Sequence, residues 1–88
     1  MDEGFIQERI AQLRTKKGVS ARDMSLSLGQ SESYINTIEN KKSLPSMTVF
    51  LHICEYLKVS PRDFFDEENK NPQKLAELIG DLKRLNDK

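Results

Sequence analysis

Two short helical patterns joined through a single glycine turn constrain this chain more than any other feature. Ser20 stands as an N-cap with Asp23 three residues on, Met24 and Leu28 recur at helical spacing, and Gly29 ends the segment. After Gln30, Ser31 can cap a second segment in which Ile35 and Ile38 share a face. Helices of about two turns are not stable alone. They must cross at the turn Gly29-Gln30 and be held by the rest of the chain. That is helix-turn-helix spacing over Ser20 to Glu39, and it predicts an outer helix over about residues 31–39.

The flanking sequence supplies what such a pair needs. Ile6, Ile10 and Leu13 mark a first helix from Phe5 to about Lys17, with basic residues in its last turn and Gly18 as its stop. A loop, Asn40-Lys41-Lys42-Ser43-Leu44-Pro45, leads to a fourth helix capped by Ser46, whose expected apolar stripe is Met47, Phe50, Leu51, Cys54 and Leu57. Ser60-Pro61-Arg62-Asp63 combines an N-cap, proline at the first helical position and an acid at the third, starting a fifth helix that buries Phe64 or Phe65. No strand pattern and no internal repeat is present, so the fold class is all-α, with residues 1–66 as one domain.

Residues 67–88 read as a linker and an additional C-terminal amphipathic helix beginning at Asn71-Pro72. Leu75, Leu78, Leu82 and Leu85, widened by Ile79, form an apolar seam about two heptads long. A homodimer is the expected use of that seam, and packing on the chain's own domain is the alternative.

Composition narrows the function classes. No apolar run reaches the roughly 18 residues of a membrane span, and the acidic start is not a signal peptide, so a cytoplasmic location with no membrane partner is expected. Cys54 is the only cysteine and His52 the only histidine. On one helix His52, Cys54 and Glu55 point to different faces, which leaves no catalytic constellation, no metal site, no cofactor motif and no evident small-molecule ligand. An enzyme is the weakest class. Fourteen basic residues balance 14 acidic ones, but from Arg9 to Lys58 there are eight bases against four acids. That basic middle is either a nucleic-acid footprint or a segregated solvated face.

At about 100° per residue, Ile35, Ile38, Ser31 and Glu39 fall on one side of the third helix, while Ser33, Asn36, Thr37 and Asn40 fall opposite. Small hydroxyl and amide side chains let a helix approach a major groove closely, and an Asn amide can bond both edge atoms of adenine. The same residues would equally serve as an ordinary solvated face. Lys41, Lys42, Ser43 and Ser46 follow directly, where they could position a phosphate backbone, and Arg22 could clamp it from the second helix.

Taken together these segments resemble the lambda-repressor-like helix-turn-helix family, the phage-repressor and xenobiotic-response-element type of bacterial regulators. The resemblance covers roughly Ile6 to Phe65. It is carried by Ile10-Ala-Gln-Leu-Arg14, Gly18-Val-Ser20, Met24-Ser-Leu-Ser-Leu28-Gly29, Tyr34-Ile-Asn-Thr-Ile-Glu39-Asn40, Leu44-Pro45-Ser46 and Leu57-Lys-Val-Ser-Pro-Arg-Asp-Phe64-Phe65. It implies a five-helix lambda-repressor-like DNA-binding domain, with a structural ion pair between Arg14 and Glu39. By position, base-reading sites fall on Glu32, Ser33, Asn36 and Thr37, and phosphate contacts on Ser31, Asn40, Lys42 and Ser46.

Three departures stand out. Ala21 occupies a position where the family usually has a phosphate-binding glutamine, so Arg22 would have to substitute. Glu32 is an acid at the tip of the outer helix, able to accept from a cytosine amino group or simply to stabilise the helix N-terminus. Lys41 replaces a frequent glycine, so Asn40 or Lys41 must make the helix-ending turn. The resulting expectation is a sequence-specific regulator of transcription with double-stranded DNA as partner. The alternative is a protein-interaction or antitoxin-like module on the same fold with weak or lost DNA binding.

Overall fold

The computed structural model of the chain describes residues 1–2 and 4–67. Within them five helices run in the order α1 (Phe5–Lys17), α2 (Ala21–Ser27), α3 (Tyr34–Glu39), α4 (Met47–Leu57) and α5 (Pro61–Phe64). No strand occurs among the described residues, so the class is all-α. The sixth helix expected from the sequence, and with it Leu75, Leu78, Ile79, Leu82 and Leu85, falls outside the described residues.

Three serine caps set helix starts, each accepting one of the orphan amides of a first turn. The Ser20 hydroxyl accepts from the Asp23 N–H at 3.0 Å, Ser46 from Val49 at 3.2 Å and Ser60 from Asp63 at 3.0 Å. Left-handed residues follow the ends of α1, α3 and α4. Gly18 closes α1 at φ 81°, and its N–H reaches the Arg14 and Thr15 carbonyls. Of the two residues offered for the end of α3, Lys41 takes the left-handed turn at φ 62°, and Lys58 does the same after α4 at φ 58°.

The core has an aliphatic part and an aromatic part. Ile10, Leu13, Met24, Ile35, Ile38 and Ile53 are buried together where α1, α2, α3 and α4 converge. All four phenylalanines gather at the other end. Phe64 meets Phe50 edge-on at 4.9 Å and Phe5 at 6.5 Å, while Phe65 stacks on Phe5 at 6.2 Å. Such edge and offset contacts add to the area that the rings bury, and they fasten α5 across α1 and α4. Cys54 is buried in this core, and burial pushes its thiol pKa up.

Two expectations are corrected. α3 begins at Tyr34, not near Ser31: the Tyr34 N–H bonds to the Ser31 carbonyl at 3.1 Å, a tight turn that leaves the Ser31 side chain exposed and makes no side-chain cap. The stripe of α4 is also rotated. Phe50, Ile53 and Cys54 are buried, whereas Met47 and Leu51 are 71% and 50% exposed. Positions 50, 53, 54 and 57 follow the i, i+3, i+4, i+7 pattern of one face, and 47 and 51 lie on its flank.

Candidate nucleic-acid interface

α3 is too short to orient itself, and three holds fix it. Its first turn has no side-chain cap of its own. Instead Ser25 of α2, fully buried, accepts the Ile35 N–H at 2.9 Å while donating its own proton to the Ala21 carbonyl at 2.7 Å. A buried amide that would otherwise be orphaned is thus satisfied by the neighbouring helix. Gly29, at φ 74°, makes the turn between them. A side chain there would meet nothing within 4 Å, so the left-handed backbone, not space, requires glycine.

The third hold is at the other end of α3. Arg14 donates to both carboxylate oxygens of Glu39, Nε at 2.6 Å and the second nitrogen at 2.9 Å, and its remaining terminal nitrogen donates to the Val19 carbonyl at 2.9 Å. The side chains are only 20% and 13% exposed. This two-pronged hydrogen bond raises the Arg14 pKa further above neutrality, so the guanidinium stays charged throughout the accessible range. One residue therefore ties α1, the α1–α2 connection and α3 together.

With its inner side held, α3 turns Asn36 outward, flanked by Ser33 before the helix and Asn40 after it, all three exposed, with Thr37 half-buried beside them. Asn36 makes no side-chain hydrogen bond to another described residue, so both its donor and its acceptor are available. Thr37 donates its hydroxyl proton to the Ser33 carbonyl at 2.9 Å. What remains outward is an acceptor and a methyl group, suited to a base amino donor or a thymine methyl.

The flanking candidates separate into engaged and available groups. Arg22 Nε lies 3.1 Å from Glu32 Oε2, so a candidate phosphate contact and a candidate base contact hold each other. Lys41 Nζ lies 3.0 Å from Glu8 Oε1, an attachment that raises the lysine pKa and binds the loop to α1. Lys42, Ser43 and Ser46, in the segment that follows α3, are exposed. The Ser46 oxygen already accepts from α4, which leaves its hydroxyl proton to donate outward. Ser43 is placed by its carbonyl, which accepts from the Gln7 side chain at 3.4 Å.

Three positioning residues were not foreseen in the sequence. Arg9 is buried and donates to the carbonyls of Phe64 at 3.1 Å and Asp63 at 3.2 Å, closing the C-terminal end of α5. Burial lowers its pKa, against the raising influence of Asp66 and Asp63. Gln7 and Ser25 are the others. The partners of Arg9 and Gln7 lie 55 and 36 residues away in the chain, beyond any local pattern. For Ser25 the signal was present: it sits beside Met24 on the inward side of an amphipathic helix.

Among the described residues no group of His, Cys, Asp and Glu could hold a metal ion, and no helix is long and apolar enough to cross a membrane. Comparison with known proteins agrees with the geometry at the level of the motif. A family model described as a helix-turn-helix domain matches residues 7–70. No curated protein and no solved structure matches the chain significantly.

Proposed function

The chain belongs to the helix-turn-helix domain family, and from that premise we propose that it is a sequence-specific DNA-binding regulator of transcription of the lambda-repressor-like kind, with α3 in the major groove. The observation that carries this reading is the division of α3. Its inner face is locked by Ile35, Ile38 and Glu39, while its outer face offers unengaged or half-engaged polar groups from Ser33, Asn36 and Thr37. Glu32 joins them at the tip. Ser31, Asn40, Lys42, Ser43 and Ser46, all exposed, would serve as phosphate contacts, with Arg22 across the turn. Lys41 contributes less, because its charge is balanced by Glu8.

Selection of bound sequences from a random duplex pool, followed by binding titrations, tests this. Asn36→Ala should erode the preference for the selected site over a scrambled one by about tenfold, the scale of one amide–adenine contact. Lys42→Ala should weaken both duplexes alike and flatten the salt dependence by about 0.9 in the logarithmic slope. Equal binding of selected and scrambled duplexes by every variant would defeat the reading. Two heptads of apolar sequence from Leu75 to Leu85 add the proposal of a homodimer, which would place two α3 helices roughly 34 Å apart on a palindromic site. Sedimentation equilibrium at micromolar concentration checks it, and a monomer refutes it.

The pairing of Arg22 with Glu32 and of Lys41 with Glu8 favours a second reading, in which the same face serves a protein partner. A genome-wide pull-down that enriches no DNA sequence would support that alternative.

A further inference from the structure

The unit formed by α2, the turn and α3 contains a single basic residue, Arg22, against Asp23, Glu32 and Glu39. Any charge–charge attraction between this unit and a phosphate backbone depends on that one guanidinium. In the free protein it is engaged: Arg22 Nε lies 3.1 Å from Glu32 Oε2, and the side chains are 67% and 66% exposed. The pair spans the turn, from the first turn of α2 to the residues just before α3. It is a one-point contact in water, a kind that holds weakly and exchanges readily.

We propose that Glu32 gates Arg22. On DNA of arbitrary sequence Glu32 keeps the guanidinium from the phosphates, because releasing it would leave a bare carboxylate beside the anionic backbone. A duplex that presents a cytosine amino group to Glu32 supplies a replacement donor: the N4–H bonds to the carboxylate, and Arg22 is freed to contact a phosphate. Reading one base and gaining one phosphate contact become a single event. The pair then contributes to discrimination by suppressing non-cognate binding as well as by favouring the cognate site. Ala21 strengthens the effect, since its methyl group offers no donor that could bypass Arg22.

The inference rests on the DNA-binding reading above, and its test separates the two. The full chain and its E32A, R22Q and E32A/R22Q variants are titrated by fluorescence anisotropy against a random-sequence duplex and the selected duplex over a salt series. E32A should bind the random duplex about threefold more tightly, the scale of an exposed pair released, with a logarithmic salt slope steeper by about 0.9. The ratio of selected to random affinity should fall. In the R22Q background the gain from E32A should shrink to the relief of carboxylate–phosphate repulsion, with no steepening of the salt slope from a freed guanidinium. A wild-type protein that binds DNA while E32A leaves random-duplex affinity unchanged overturns the gate alone. An undiminished gain in R22Q also overturns it, because Glu32 would then act only as a bare charge. If neither wild type nor E32A binds any duplex, the DNA-binding reading falls and the gate with it.

Discussion

Two arginine–glutamate pairs attach to the α2–turn–α3 unit, and they differ in almost every respect that decides what an ion pair does. Arg14 and Glu39 meet through two hydrogen bonds and are mostly buried. Arg22 and Glu32 meet through one and are mostly in water. In the first pair, loss of either partner strands a desolvated charge, so the pair behaves as part of the frame. In the second, water replaces a lost partner at little cost, so the pair is free to rearrange. The same two residue types therefore serve permanence on one side of α3 and exchange on the other.

The sharpest way to break this comparison is to remove what the inner side rests on. Ile38→Ala, a fully buried truncation, should cost about 3 kcal/mol in a denaturant titration. A loss below about 1 kcal/mol would mean that α3 is not locked by its inner face. Next in size is Arg14→Met, which leaves the Glu39 carboxylate and the Val19 carbonyl without their donor. A loss of about 2 kcal/mol is expected by the same measurement, and a neutral result would put the two pairs in one class.

Ser25→Ala should follow at about 1–2 kcal/mol, with faster hydrogen exchange at the Ile35 amide as its specific signature. Smallest of all, Glu32→Ala should change the unfolding free energy by less than about 0.5 kcal/mol. A larger loss would make the outer pair structural and remove the freedom that the gate needs.

What could be read in the sequence is what local chemistry decides. Ser20, Ser46 and Ser60 each precede an acid or an apolar turn in a pattern with few alternatives, and all three cap as their spacing predicts. The left-handed turn after α3 was legible as a necessity, and Lys41 meets it because no glycine follows Asn40. Ser31 misled because it has an N-cap's residue type, but the cap is already supplied from α2 by Ser25, which lets the helix start later. Met47 and Leu51 misled because an apolar residue one turn from Phe50 or Cys54 fits a stripe on paper, while the actual packing direction is set by helices distant in sequence. The same distance hid the Arg9 and Gln7 attachments.

The candidate interface divides similarly. Composition and periodicity place Ser33, Asn36 and Asn40 outward, where the structure exposes them. Nothing in the order of residues states that Arg22 reaches Glu32 or that Lys41 reaches Glu8. Those attachments depend on the angle at which α2, α3 and α1 cross, which emerges only when the core is packed.

Ser25 has one more consequence. It grips α3 by the main-chain amide of Ile35, a group that every residue but proline possesses. The hold is therefore indifferent to which side chains α3 carries outward. Successive generations could rewrite positions 33, 36 and 40 with the scaffold unaltered, so a lineage built on this frame can acquire new targets by changing a few letters on one surface, with no refolding problem to solve on the way.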